Sequence, residues 1–271
     1  MATQSQNEME VLDEAFERAR RQLEERYKAD LESVNTAQST AAEDESQYSP
    51  TVVFDSVSRV DFRCWLERRE GALCRWHYEP LTSTTGRVEV YSLTTHVRAS
   101  PARRIIGQIL EQIADIGRDV GLWRTLDLQA SPTCDVGDRD QEPSQSLRPF
   151  GKATLMPNLV VEVAYQHESW ELLVAKLNRW MGPNTTVQVV IGIEVFSVRQ
   201  HAILLQRGYT PQEVEFGPDQ SEPAALTFPM RVLYHGAALP PALAEAGDLE
   251  IRIDLVDLRY VIGSVLSTPR S

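Results

Sequence analysis

The segment Pro157–Met181, with the sequence PNLVVEVAYQHESWELLVAKLNRWM, constrains the fold more than any other part of this 271-residue chain. It begins as an apolar, β-branched run that carries one acid, Glu162, and continues after a polar break as a helix-like pattern that carries Lys176. Burying an acid inside a strand is costly unless a partner or a metal compensates its charge. Because only three of the 27 lysines and arginines are lysines, Glu162 and Lys176 are candidate partners at one site.

Composition predicts an intracellular globular protein. The hydrophobic fraction of 42% and the charged fraction of 24% are ordinary for such a protein. We expect no transmembrane helix, since no apolar run approaches the length that a bilayer needs. The acidic N-terminus lacks the apolar core of a signal peptide. The three cysteines show no metal-type spacing, and we predict that Cys64 and Cys74 are buried thiols.

The net charge of −12 is concentrated at the two ends of the chain. Residues 1–50 contribute −7 and residues 209–271 contribute −5, whereas residues 51–208 hold eighteen acids and eighteen bases. An acidic protein is a poor general binder of nucleic acid. The neutral middle segment is compatible with a local nucleic-acid site, but its balanced charge does not by itself indicate one.

These charges suggest three parts: residues 1–50 as a helix with an acidic linker, residues 51–208 as the core, and residues 209–271 as a β-rich extension of the same domain. Apolar residues recur at steps of three and four along Asn7–Val34, which predicts an amphipathic helix. This helix either packs on its own domain or acts as a coiled-coil arm for self-association or for a partner.

The segment Thr51–Tyr91 predicts two short strands around a basic helix. Arginines and tryptophans cluster there: Arg59, Arg63, Arg68, Arg69, Arg75, Trp65 and Trp76. Interleaved cations and aromatic rings are typical of a surface that binds single-stranded nucleic acid. The alternative is a solvated arginine face above tryptophans that belong to the core.

The rest of the core alternates between helices and strands, which predicts a mixed α/β fold. The pattern predicts a helix over Pro101–Val120, a strand over Leu122–Ala130, an acid-rich loop over Ser131–Gly151, a strand over Leu159–Ala164, a helix over Ser169–Met181 with Ser169 as its N-cap, and a buried strand over Val187–Val195. We expect Ala202–Gln206 to pair with that last strand. Strands are also predicted over Phe228–Tyr234 and Leu249–Leu255.

The sequence PNLVVEVAYQHESWELLVAKLNRW resembles the Uma-two-type restriction-endonuclease-like branch of the PD-(D/E)XK nuclease superfamily. In that family a strand with an internal glutamate leads into a helix whose lysine lies about fourteen residues later, and here Glu162 and Lys176 are fourteen residues apart. The segment PSQSLRP (Pro143–Pro149) resembles the family's upstream motif. The resemblance spans about residues 60–200 and implies an αβββαβ core, a mixed sheet flanked by helices.

The resemblance implies metal-dependent phosphodiester hydrolysis of nucleic acid. Carboxylates would hold Mg²⁺ or Mn²⁺, the metal would activate a water, and a lysine would offset the developing charge. The implied residues are Glu162 and Lys176, with Gln166 near the metal or the substrate, or else at the helix entry. Ser144 stands where the family has its metal-binding aspartate, and Asn158 stands at a second aspartate position. Asp140 or Glu142 could replace the missing ligand.

Two hypotheses follow from these residues. In the first, the protein is a Mg²⁺-dependent endonuclease that uses Glu162 and Lys176. In the second, it is a catalytically inactive nuclease-like protein without a cofactor, in which the two residues form a buried ion pair and the N-terminal helix recruits a second copy or another partner.

Overall fold

The computed structural model describes residues 2–36, 50–68, 74–93, 95–117, 121–137, 139–165, 168–196, 200–217, 220 and 224–267. In the first helix, side chains are described for residues 10–26 and for Lys28. The helices are α1 (Ala2–Thr36), α2 (Arg59–Arg68), α3 (His96–Ile116), α4 (Trp170–Trp180), α5 (Pro241–Ala246) and α6 (Leu255–Ser267). The strands are β1 (Thr51–Ser58), β2 (Cys74–Pro80), β3 (Thr85–Leu93), β4 (Leu126–Gln129), β5 (Cys134–Val136), β6 (Arg139–Gln141), β7 (Gln145–Pro149), β8 (Leu159–Tyr165), β9 (Val189–Val195), β10 (Gln200–Gln206), β11 (Gln212–Glu215), β12 (Ala225–Pro229) and β13 (Glu250–Asp254).

The chain divides into two compact units whose boundaries differ from the three predicted parts. The N-terminal unit comprises Met1–Thr94 together with Asp138–Gln141, and the C-terminal unit comprises Thr95–Gly137 and Glu142–Ser271. The first boundary lies after β3, not at residue 50 as predicted. The reason is that α1 and the three strands that follow the predicted linker share one core. Among the described residues, every helix falls short of what crossing a membrane requires in length or apolar character.

The N-terminal unit is an antiparallel three-stranded sheet, in the order β1-β3-β2, with helices on its apolar face. The amphipathic helix predicted at the N-terminus is confirmed, and the described part of its apolar stripe, from Leu12 to Leu23, is buried in this unit. Phe16 contacts Trp65 in a tilted arrangement with ring centroids 4.4 Å apart, and the Trp65 indole donates a 2.8 Å hydrogen bond to Asp13. The shared core contains Leu12, Phe16, Ala19, Leu23, Phe62, Trp65, Cys74, Trp76, Tyr78, Val88 and Val90.

The C-terminal unit is built on a six-stranded mixed sheet in the order β11-β10-β9-β8-β7-β4. Strands β8 and β9 are parallel and are joined by α4, whereas the other neighbouring pairs are antiparallel. The succession α3, β4, β7, β8, α4, β9 is the predicted αβββαβ order, with α3 and α4 flanking the sheet. The mixed α/β fold is therefore confirmed.

Several predicted elements differ in extent or type. The predicted loop Ser131–Gly151 contains three strands, because polar residues of β7 such as Ser146 are buried between neighbouring strands. The predicted strand Phe228–Tyr234 is split, with β12 ending at Pro229 and a 3-10 turn following. The predicted β-rich extension also holds α5 and α6. Cys74 is buried as predicted, but Cys64 is exposed.

Candidate functional site

Glu162 lies in the middle of β8, at the centre of the six-stranded sheet, and is fully buried. In the parallel register it stands beside Gly192 of β9. A Cβ at Gly192 would lie 2.5 Å from Cδ1 of Leu177, so α4 packs very close to the sheet at this point. The buried residues of α4 are Leu173, Lys176, Leu177 and Trp180, which follow a helical stripe. The close approach therefore brings Lys176 and Trp180 down towards Glu162.

Both carboxylate oxygens of Glu162 accept hydrogen bonds from neighbouring side chains. The Trp180 indole donates to Oε1 at 2.8 Å, and the Ser144 hydroxyl donates to Oε2 at 3.3 Å. The ammonium of Lys176 lies 3.9 Å from Oε2. The structure thus brings together Ser144, Glu162 and Lys176, three of the residues predicted from sequence.

Ser144 is fixed by its backbone as well as by its hydroxyl. Its N–H donates to the carbonyl of Val161 at 3.0 Å, and its Oγ accepts from the N–H of Val163 at 3.2 Å. One hydroxyl therefore accepts a backbone hydrogen bond and donates to Glu162. A carboxylate at position 144 would still accept the hydrogen bond from the N–H of Val163, but it would bring a second negative charge against Glu162. Two such acids need a cation between them.

Sequence reasoning missed two further members of this network, Glu168 and Arg98. Glu168 pairs with Lys176 and with Arg98, and all three side chains are buried. Arg98 also donates from Nε to the carbonyl of Val163 at 2.9 Å. With Glu162, the cluster holds two acids and two bases, so its formal charges balance. A signal was present for Arg98, because it lies four residues before Ala102 on the apolar stripe of α3.

The other predicted metal ligands have different partners. Asp140 belongs to the N-terminal unit, where it pairs with Arg59 and Arg63. Burial raises the pKa of Asp140, but hydrogen bonds from the two guanidinium groups outweigh it and hold the pKa below the ordinary aspartate value. Glu142 accepts a 3.1 Å hydrogen bond from Thr133. Gln166 lies outside the described residues.

The two tryptophans of the arginine-rich segment follow the structural alternative, whereas three of its arginines are ion-paired or buried and do not form the solvated face that this alternative assumed. Arg59 and Arg63 are engaged by Asp140 within the unit, and Arg75 is buried. Trp65 and Trp76 are core residues, with exposed fractions of 2% and 1%. Stacking of nucleic-acid bases requires exposed aromatic faces, so these two tryptophans do not form such a platform.

Asn158 makes hydrogen bonds that an aspartate at the same position could not all make. Its Nδ2 donates to the carbonyls of Leu233 and His235, each at 2.9 Å. Its Oδ1 accepts from Lys152, whose ammonium also donates to the carbonyl of Met156 at 2.8 Å and to Thr186 at 3.0 Å. Burial lowers the pKa of Lys152 to about 8. An amide is needed at position 158 because it must donate and accept at once.

The donors around Glu162 do not match the ligand set of Mg²⁺. That ion takes oxygen ligands in near-octahedral geometry, usually one or two carboxylates together with several waters. Here a fully buried carboxylate receives an indole N–H and a hydroxyl, and an ammonium group lies beside it. The second nearby acid, Glu168, is held between Lys176 and Arg98. Among the described residues the arrangement is that of a compensated buried charge, in which both nearby carboxylates are engaged by protein donors or cations.

No family model matches the chain, and no curated protein matches it. Three chains among the solved structures match it. A solved structure described as a "putative nuclease belonging to DUF820" from Anabaena variabilis aligns with a TM-score of 0.47 at 11% sequence identity, covering 76% of this chain and 99% of that chain.

Proposed function

We propose that the C-terminal unit is a PD-(D/E)XK nuclease-like domain that does not hydrolyse phosphodiesters, and that the protein acts as a structural or interaction protein. The nuclease-like assignment is supported by the αβββαβ succession and by the positions of three side chains. Ser144 immediately precedes β7, Glu162 lies on the adjacent antiparallel β8, and Lys176 comes from the helix that follows. These are the places that the family resemblance implies for a metal ligand, a second ligand and a lysine.

One observation carries the proposed lack of hydrolysis: the carboxylate of Glu162 is fully buried and both its oxygens accept hydrogen bonds from side chains. A hydrolytic metal must contact such an oxygen and also hold a water that reaches the scissile phosphate. A metal would have to share the two carboxylate oxygens of Glu162 with the donors Trp180 and Ser144 in a fully buried position. It would also be a second cation beside Lys176, which raises the electrostatic cost.

The competing function is Mg²⁺-dependent cleavage, and the 3.9 Å approach of Lys176 to Glu162 is the observation in its favour. Lys176 also pairs with Glu168, which neutralises it in the absence of substrate. A lysine that orients water would have to exchange this partner for a phosphate oxygen.

Nuclease assays separate the two functions. Plasmid, single-stranded DNA and single-stranded RNA are incubated with Mg²⁺ or Mn²⁺ and with wild-type, Glu162→Gln or Lys176→Met protein. We expect no cleavage above the level of the Glu162→Gln protein. Metal-dependent cleavage by the wild type that both variants lose would overturn the proposal.

A gain-of-binding variant provides the positive control. Ser144→Asp places two carboxylates against each other, so it should acquire Mg²⁺ affinity measurable by calorimetry, whereas the isosteric Ser144→Asn should not. Equal Mg²⁺ binding by wild-type protein and Ser144→Asp would show that the native site already accepts the metal.

The described part of α1 does not supply a free apolar docking stripe. Leu12, Phe16, Ala19 and Leu23 are 1–3% exposed and belong to the core of the N-terminal unit. The side chains of Tyr27, Leu31 and Val34, which continue the predicted stripe, lie outside the described residues. Partner recruitment through the first part of this helix would require the unit to open.

A further inference from the structure

His77, Glu79 and Glu89 form a cluster of potential metal ligands in the N-terminal unit, separate in sequence from the residues around Glu162. One ligand atom from each side chain lies within 4.8 Å of the other two. Nε2 of His77 is 3.1 Å from Oε2 of Glu89. Two ligands at about 2.0–2.2 Å from one Zn²⁺ can be no more than about 4.4 Å apart. In the tetrahedral geometry that Zn²⁺ usually adopts, two such ligands lie about 3.4 Å apart. Rotations of the side chains that bring the most distant pair closer by about 1 Å would therefore allow all three atoms to reach one ion.

The sheet framework holds these three side chains on one face. His77 and Glu79 are two residues apart on β2, and Glu89 is directly opposite His77 on β3. The residues on either side of His77, Trp76 and Tyr78, point into the core and are 1% exposed. Because successive side chains of a strand alternate between faces, the three ligands share the face opposite the core. Adjacent hydrogen-bonded strands restrict their positions more than a loop would.

We propose that His77, Glu79 and Glu89 bind a divalent transition-metal ion, of the class represented by Zn²⁺, Co²⁺ and Ni²⁺. An imidazole nitrogen with two carboxylate oxygens suits these borderline cations, whereas Mg²⁺ and Ca²⁺ prefer oxygen ligands alone. All three residues are partly buried, with side-chain exposures of 21% for His77 and 13% for Glu89. The ion would join β2 to β3 and retain coordination positions for water or for a ligand from a partner.

Arg87 is a nearby cation that opposes metal binding. Its Nη1 lies 3.8 Å from Oε1 of Glu89, and it stands opposite Glu79 in the strand register. A guanidinium group near the carboxylates lowers their affinity for a cation by charge repulsion. Removing Arg87 should therefore strengthen metal binding, which gives the proposal a gain-of-function test.

Calorimetry with Zn²⁺ and Ni²⁺, together with the visible absorption of Co²⁺, tests the site in the full chain. Wild-type protein should bind one equivalent that His77→Ala and Glu89→Gln weaken at least tenfold. Arg87→Gln should tighten binding several-fold. His96→Ala, which removes an exposed histidine of the C-terminal unit, and Glu162→Gln should leave the affinity unchanged.

Thermal melting without metal checks that each variant folds, and melting with Zn²⁺ should raise the transition of the wild type but not that of His77→Ala. The proposal is overturned if the wild type binds no Co²⁺, if His77→Ala binds as tightly as the wild type, or if His96→Ala loses as much affinity. A dependence on Glu162 with none on His77 would instead place a metal at the nuclease-like site and contradict both proposals.

Discussion

The indole nitrogen of Trp180 donates a 2.8 Å hydrogen bond to Oε1 of Glu162, and both side chains are fully buried. Trp180 belongs to the buried stripe of α4 and also satisfies the acid at the centre of the sheet. Buried polar groups are costly mainly when they are left without a partner. This hydrogen bond is one reason that a glutamate is tolerated among apolar strands.

Replacing Trp180 with phenylalanine should destabilise the protein by about 1–3 kcal/mol beyond the loss of ring volume, because Oε1 loses its donor. Urea unfolding measures the change, with Trp170→Phe as the control, since Trp170 is only partly buried and stacks on His201. In a Glu162→Met background the cost of Trp180→Phe should shrink. If the cost of Trp180→Phe is the same in the Glu162→Met background, the indole contributes to stability through packing alone.

Lys176→Met should destabilise the protein by about 3–5 kcal/mol, because it leaves the buried acids Glu162 and Glu168 without a shared cation. Adding Glu168→Gln should recover part of the loss, since it removes one of the two negative charges. The free energy of unfolding of the double variant decides the matter. If it equals or falls below that of Lys176→Met alone, the charge-balance explanation fails.

Asp140→Asn should cost about 3 kcal/mol at pH 7, because Asp140 is the buried partner of Arg59 and Arg63. The pKa of Asp140 is lowered in the folded state, so the folded protein binds fewer protons than the unfolded chain at acidic pH. The stabilisation is therefore complete above about pH 4 and is lost as the pH falls through the folded-state pKa. Unfolding midpoints of the two proteins, measured from pH 7 to pH 3, should converge. A constant difference would rule out this linkage.

Gly192→Ala should destabilise the protein by about 1–3 kcal/mol, because the added Cβ would lie 2.5 Å from Leu177 and 3.1 Å from Ile203. Gly263→Ala is the matched control, since nothing lies within 4 Å of its Cβ position and alanine favours a helix by about 1 kcal/mol. Thermal melting should move in opposite directions for the two variants. A Leu177→Ala change should make Gly192→Ala less costly, and the absence of such rescue would argue against the close contact.

Asn158→Asp should be more harmful than its small change in volume suggests, by about 1–3 kcal/mol, because a carboxylate cannot donate to the carbonyls of Leu233 and His235. The new ion pair with Lys152 offsets part of this cost. Chemical denaturation of Asn158→Asp and Asn158→Ala at pH 7 checks the expectation. A stabilised aspartate variant would mean that the two carbonyls do not select for the amide.

The sequence predicts β8 and α4 well because each carries a strong local pattern, a β-branched run in one and an N-capped apolar stripe in the other. Ser169 does accept the predicted hydrogen bond, from the N–H of Leu172 at 3.3 Å. Strand β7 was missed because its polar residues Gln145 and Ser146 look like loop residues until neighbouring strands bury them. Tertiary contacts decide whether a polar strand is buried, and the local pattern of apolar and polar residues carries no information about those contacts.

The same limit applies to the candidate site. Glu162 and Lys176 stand out because one interrupts an apolar run and the other is a rare residue type. The apolar stripe of α3 marks Arg98, but Glu168 has no such signal. The pairing of the two depends on the helix and strand ends that meet around them. The hydrogen bonds that Trp180 and Ser144 donate to the carboxylate of Glu162 likewise result from three-dimensional packing.

The interruption of the N-terminal unit in sequence has a consequence for protein synthesis. Its first 94 residues leave the ribosome long before Asp138–Gln141, the segment that completes the unit. Until then Arg59 and Arg63 lack the carboxylate that neutralises them. The N-terminal unit therefore lacks part of its structure while α3 and β4 of the C-terminal unit are being synthesised. For this reason the N-terminal unit cannot finish folding before synthesis of the C-terminal unit has begun.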